Sequence, residues 1–226
     1  METLLETRDL DTAYPLTAAH VDRYRRDGFV KLKDVLSLEA LALHGRRISA
    51  RVKELNTLHL PMAERTTYQR AFLQVMNLWE RCEEVRELVF CRRLARIAAR
   101  LMGVRGVRLY HDQALYKEPG GGFTPWPADQ YYWPLASDAA CTAWIPLQAT
   151  PAAMGPLAFA AGSHKLDLGR SLRISDESEA AIQEALAQTD CKHVDEPFDL
   201  GEVSFHAGWT FHRAGPNTSE RPREVM

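Results

Sequence analysis

Residue types able to carry chemistry are concentrated in three stretches of the second half of the chain: Tyr110–Asp129 (YHDQALYKEPGGGFTPWPAD), Gly155–Lys165 (GPLAFAAGSHK) and Gly201–Arg223 (GEVSFHAGWTFHRAGPNTSERPR). Imidazoles and carboxylates are the side chains that hold a metal ion or relay a proton. Asp129 and His212 are candidates of this kind, although a distant His–Asp pair taken by itself is more often structural. His206, His164 and His111 read most simply as strand or loop histidines. Lys117 and Lys165 read as surface charges beside turns. Gly120-Gly121-Gly122 lacks the Lys-Ser/Thr of a phosphate loop and precedes no helical pattern, so it reads as a flexible turn. The aromatics Trp126, Tyr131, Tyr132 and Trp133 around Asp129 suit either a core or the wall of a pocket. Cys82, Cys91, Cys141 and Cys191 are too widely spaced for a CxxC pair, and reduced thiols are the default.

These side chains must be placed by a scaffold, and its order is legible. Thr17 can cap a helix that runs to Asp27, with Val21 and Tyr24 on one face and Gly28 at the end. Ser37 to about Asn56 repeats Leu38, Leu41, Ile48, Val52 and Leu55 near a 3.6-residue period. Asn77 can cap a third helix that continues through Leu94 and Leu101 to Gly103. After Gly106 the period drops to two: Val107, Leu109, His111, Gln113 and Leu115 share a face, which predicts a strand. Further short strands are expected at Thr142–Gln148, Leu157–Ala160, Val203–His206 and Trp209–His212, with a surface helix at Ser175–Gln188. Helices followed by strands predict one α+β unit rather than alternating βαβ.

Composition narrows the class. In 226 residues, 28 basic and 30 acidic side chains leave a net charge of −2, so no basic field awaits nucleic acid or an anionic membrane. Apolar residues make up 46%, which suits an ordinary core. No apolar run reaches the ~18 residues of a membrane span, and the acidic start Met1-Glu2-Thr3-Leu4-Leu5-Glu6 does not read as a signal peptide. A cytoplasmic protein is expected.

The three stretches, with Tyr24-Arg25-Arg26-Asp27-Gly28-Phe29-Val30 before them, resemble the phytanoyl-CoA dioxygenase family of iron(II)- and 2-oxoglutarate-dependent oxygenases. An Asp-Gly-Phe-Val opening, Lys-x-Pro-Gly, Thr-Pro-Trp-x-x-Asp, Gly-Ser-His-Lys and a His…Asn…Arg block occur in the family's order. The resemblance implies a double-stranded β-helix, a cupin-like jelly roll with N-terminal helices packed on it. As one domain over 1–226, residues 1–104 would be mainly helical and 105–226 the jelly-roll core. It also implies Fe(II) and 2-oxoglutarate as cofactor and cosubstrate, and hydroxylation of a small or lipid-like metabolite. Asp129 would be the carboxylate ligand and His212 the distal imidazole. Arg223 would grip the far carboxylate of 2-oxoglutarate, with Trp144 and Gln113 lining the cosubstrate pocket. The partner expected is a small-molecule substrate, with neither nucleic acid nor membrane, and room for a homodimer.

Two departures from the family stand out. Where it has the first iron-binding His, two residues before Asp129, this chain has Pro127, which offers no donor atom. A four-ligand structural metal site binds with roughly 10–16 kcal/mol, so one ligand is worth ~3 kcal/mol and its loss costs about two decades of affinity. Impaired activity is therefore expected, and a catalytically dead binding or partner subunit is the alternative. Arg223-Glu224-Val225-Met226 also resembles the beginning of a family strand, which predicts that a terminal strand is missing: either the chain is cut short or the sheet has an open edge, with Arg223 on a fraying terminus.

Overall fold

The computed structural model describes residues 8–167 and 176–226. Helix α1 (Arg8–Asp11) precedes α2 (Ala18–Asp27). The Thr17 hydroxyl accepts the His20 amide, and His20 Nδ1 accepts the Thr17 amide in return. Gly28, at φ 82°, closes α2 by donating its amide to Tyr24 O. Helix α3 (Leu38–Leu55), capped by Ser37, buries Leu41, Ile48 and Val52, as its period predicts.

The third helix departs from expectation. Asn77 adopts a left-handed conformation (φ 54°), and its side chain caps nothing. Asp112 does that work from elsewhere in the chain, accepting the amides of Leu78 (2.8 Å) and Trp79 (2.9 Å). The segment divides into a single 3₁₀ turn, Leu78–Glu80, then α5 (Glu83–Val89) and α6 (Arg92–Met102), which ends on Gly103. A short α4 (Thr67–Ala71) comes before them.

The strands are β1 (Phe29–Leu32), β2 (Leu73–Met76), β3 (Gln113–Tyr116), β4 (Cys141–Trp144), β5 (Leu157–Ala161), β6 (Lys192–Val194), β7 (Val203–Ala207) and β8 (His212–Ala214). β3 is much shorter than the predicted Val107–Leu115, because its partner β2 offers four residues and Asp112 is taken up in capping. Trp209–Phe211 form the turn into β8 rather than its beginning.

One layer has the antiparallel order β1-β7-β4. The C-terminal residues extend it. Ile145 and Met226 exchange backbone hydrogen bonds and the Leu147 amide reaches Glu224 O, while on the other side Lys117 and Arg223 exchange theirs and Leu115 reaches Val225 O. Residues 223–226 therefore lie between β4 and β3 and carry the sheet on to β2. Both sides of this segment are paired, and Val225 is 1% exposed. The second layer is β6-β5-β8, joined beside β8 by Thr124, which pairs with Ala214, and Pro127, whose carbonyl accepts the His212 amide.

Between the layers lie Phe29, Trp144, Leu157, Phe159, Phe198 and Val225, with Phe29 stacked on Phe159 at 4.1 Å. Alternation sends Val30, Leu32, Ala114, Tyr116, Val203 and Phe205 to the other face of the first sheet, under the N-terminal helices. Helix α7 (Asp176–Ala187) covers the second sheet through Ile182 and Leu186, against Trp126, Ala160 and Phe211. Ser175, where the surface helix was expected to begin, lies outside the described residues. The architecture is an α+β double-stranded β-helix with the N-terminal helices packed on one sheet and α7 on the other.

Candidate metal centre and anion cradle

The same alternation that buries Val203 and Phe205 under the helices turns Ser204 and His206 to the interior. At the start of β8, His212 points inward, while Phe211, just before the strand, packs outward. The two imidazoles face each other from opposite sheets, ring centroids 4.6 Å apart. Asp129 enters from a 3₁₀ turn, Asp129–Tyr132, that follows the Thr124–Pro127 edge. Its Oδ2 lies 3.1 Å from His206 Nε2 and its Oδ1 lies 3.6 Å from His212 Nε2. Donor atoms of Asp129, His206 and His212 all fall within 4.8 Å of one another, the one such cluster among the described residues.

Neighbouring groups fix this arrangement. Thr142 donates its hydroxyl to Asp129 Oδ2 at 2.8 Å. His212 Nδ1 lies 3.0 Å from Thr210 O; donating there leaves the Nε2 lone pair free for a metal. Burial alone would raise the Asp129 carboxyl, but His212, His206 and the Thr142 hydroxyl outweigh it and hold it well below the usual carboxylate range. His212 is lowered by burial, which Asp129 opposes. Two imidazoles beside one carboxylate suit a divalent cation.

Arg223 is nearly enclosed. One of its terminal nitrogens donates to Gly155 O, its Nε has no partner, and its guanidinium carbon lies 5.5 Å from the Trp144 ring centroid. Directly opposite it across the strand pairing is Lys117. The surface position expected for Lys117 is wrong: the residue is fully buried, and its Nζ donates to Gly122 O, Thr124 Oγ1 and Gly215 O (2.8 Å). The glycine turn is thus part of a lysine cradle. Gly155 must be glycine here, since at φ 65° a Cβ would lie 2.2 Å from Gly215 O. Burial, and then the neighbouring Arg223, pulls the Lys117 ammonium down to about 6; burial pulls Arg223 to about 10. Among the described residues neither cation has an ion-pair partner. A buried guanidinium without a counter-ion is unfavourable, and an anionic ligand would supply one.

Trp144 and Thr142 share the interior face of β4, so Arg223, beside Trp144, lies further along the strand than Asp129, which Thr142 holds. Gln113 lies on the interior face of β3, opposite Ala114 and Tyr116, where Gln74 Nε2 donates to its Oε1. His111 is half-buried, pairs edge-on with Trp133 at 5.8 Å, and stands outside the three-residue cluster. Tyr110 packs against both, and Tyr68, Tyr110 and Tyr132 are exposed nearby. Trp126 is core and does not belong to this wall. His164 Nε2 lies 3.2 Å from Arg25 O and joins no site. Sequence reasoning set His206 aside as a strand histidine; the signal available was its place on the face opposite Val203 and Phe205.

A jelly roll with a carboxylate and imidazoles at its interior mouth, and a buried arginine deeper in, defines the mononuclear iron oxygenase class. The chain belongs to the phytanoyl-CoA dioxygenase family, whose profile matches residues 24–225. This is a family of iron(II)- and 2-oxoglutarate-dependent oxygenases. Among solved structures, the chain resembles the α-ketoglutarate-dependent carbocyclase SnoK of nogalamycin biosynthesis, at 27% identity, 95% of this chain, 84% of that one and a TM-score of 0.79. The epimerase SnoN, solved with Fe3+, α-ketoglutarate and nogalamycin RO, gives 26%, 92%, 80% and 0.78. AviO1 from Streptomyces viridochromogenes gives 26%, 95%, 94% and 0.67. No curated protein sequence matches the chain. Among the described residues, no helix is long and apolar enough to cross a membrane.

Proposed function

We propose that the chain is an Fe(II)- and 2-oxoglutarate-dependent dioxygenase that hydroxylates a C–H bond of a small or lipid-like metabolite. The observation that carries this is the convergence of Asp129 and His212 between the two sheets, with a buried guanidinium without a counter-ion beside Trp144 of the adjoining strand. When bound, iron and 2-oxoglutarate supply O2 activation, with 2-oxoglutarate leaving as succinate and CO2.

The residues on hand suit that pair. Asp129 and His212 would hold the cation, with Thr142 orienting the carboxylate and Thr210 O fixing the imidazole tautomer. Arg223 would take the far carboxylate of the cosubstrate in its planar fork, with Trp144 as the flanking wall and Gln113 on the neighbouring strand. Tyr110, His111 and Trp133 pack edge-on and tilted against one another beside the site, which would favour a substrate with aromatic or apolar surface.

The relatives SnoK and SnoN are described as a carbocyclase and an epimerase. That favours a second reading in which C–H cleavage leads to ring closure or inversion instead of oxygen transfer. The test is succinate formation from 2-oxoglutarate under Fe(II) and O2, with a panel of ring-bearing and acyl metabolites followed by mass. Gain of one oxygen supports hydroxylation, loss of two hydrogens ring closure, and an isomer of unchanged mass epimerisation. Absence of succinate with every member, and of 2-oxoglutarate binding, overturns the oxygenase reading.

A further inference from the structure

Pro127 is buried and its carbonyl is committed to the His212 amide, so the position two before Asp129 belongs to the sheet ladder and supplies no donor. An imidazole approaches Asp129 from the opposite layer instead. Resting on the oxygenase reading, we propose that His206 is the third protein ligand of the metal, so that this chain binds iron through Asp129, His206 and His212.

The geometry is close to what coordination demands. Metal bonds of about 2.1 Å to imidazole and carboxylate, set at right angles, put neighbouring donors about 3 Å apart. The observed separations are 3.1 Å for His206 Nε2 to Asp129 Oδ2 and 3.6 Å for His212 Nε2 to Asp129 Oδ1, with all three donors inside 4.8 Å. His206 is 1% exposed and held on both sides, since β7 pairs it with Phe29 of β1 and Thr142 of β4. Thr142 is also the residue that holds Asp129, so one cross-strand pair positions two of the ligands. The substitution is nitrogen for nitrogen, so two imidazoles and one carboxylate remain and positions stay open for a cosubstrate and O2.

Tautomer chemistry permits the switch. His206 Nε2 lies 3.1 Å from Asp129 Oδ2 and is the ring atom that faces the carboxylate. His206 Nδ1 has no hydrogen-bond partner, so nothing fastens the ring in the Nε2–H form. A divalent cation at Nε2 would require the neutral ring's proton on Nδ1, so the switch is a change of tautomer. A competing role for His206, merely orienting Asp129 through a hydrogen bond, predicts a different donor count and separates cleanly by experiment.

The test uses the full chain with Co(II) and Cu(II) as probe metals, with and without 2-oxoglutarate. Pulsed electron paramagnetic resonance of the Cu(II)-loaded wild type should count two coordinated imidazoles. Titration of His206→Ala and His206→Asn with Co(II) should show about a hundredfold weaker binding and one imidazole, while circular dichroism reports their fold. Adding Pro127→His to His206→Ala should recover at least tenfold of the affinity and the second imidazole. A wild-type count of one imidazole, or His206 variants that bind Co(II) as tightly as wild type, overturns the ligand assignment while leaving Asp129, His212 and the oxygenase reading in place. A wild type that binds neither metal nor 2-oxoglutarate overturns both.

Discussion

Replacing Lys117 by methionine probes the anion cradle through stability, with no knowledge of the substrate. The amine is fully buried, and burial together with Arg223 brings it to about 6, against about 10.4 for an unperturbed lysine. Across the window from about 6 to about 10.4 the unfolded chain carries a proton that the folded chain lacks. Stability therefore rises with pH through that window. Below it both states are protonated and the burial cost is felt in full; above it both are neutral and the contribution vanishes. The slope is at most ~1.4 kcal/mol per pH unit, or about 2.7 kcal/mol between pH 7 and 9. Acceptance by Gly122 O, Thr124 Oγ1 and Gly215 O favours the ammonium and works against that ceiling. The assay is urea denaturation of wild type and Lys117→Met, both free of metal and cosubstrate, at pH 7, 8 and 9. Wild type should gain on the variant with each unit. Parallel curves would refute the reasoning, because they would mean that the amine is charged in the folded state throughout.

Arg223→Gln should weaken 2-oxoglutarate binding at least tenfold while Co(II) affinity stays within threefold, read by calorimetric titration, since the guanidinium stands a strand step away from the metal cluster. Thr142→Val keeps the shape of β4 but frees Asp129 Oδ2; Co(II) affinity should fall by about 10–100-fold without loss of fold, as circular dichroism would show. Asp112→Ala removes the acceptor for two amides at the start of the Leu78–Glu80 turn and should cost about 1–2 kcal/mol in urea denaturation. Val225→Asp sets a charge between the sheets, among Phe29, Trp144 and Phe159, and should cost about 3 kcal/mol or more by the same measure.

The sequence made local features readable where the deciding interaction was itself local. Thr17, Ser37, Gly28 and Gly103 mark helix ends because a side chain three residues away, or a glycine free to turn left-handed, settles each end. Asn77 misled for the opposite reason: a residue in the next segment, Asp112, supplies the cap, and no window around Asn77 contains it. Lys117 misled likewise, because its three acceptors come from the glycine turn, Thr124 and the distant Gly215. The order of motifs pointed to Asp129, His212 and Arg223, and the structure brings the first two within 3.6 Å and seals the third beside Trp144. The pairing of residues 223–226 with two strands was hidden because the partners, around Ile145 and Leu115, carry no signature of what lies beside them.

Pro127 and His206 show how such a site can change without its surroundings being rebuilt. A motif histidine on the Thr124–Pro127 edge and a histidine on β7 would reach Asp129 from different layers of the same interior. The backbone at Pro127 already serves the His212 amide through its carbonyl, which proline retains, so the exchange of side chain leaves that link of the ladder intact. On β7, the interior face is fixed by Val203 and Phe205 on the other side, and any residue at position 206 must point toward the carboxylate. Under the proposed assignment the charge facing a divalent cation would stay at one carboxylate, and the buried Arg223 guanidinium would still suit an anionic ligand. One imidazole would arrive from β7 rather than from the Thr124–Pro127 edge, so substrate orientation would be more exposed to this exchange than cosubstrate recognition.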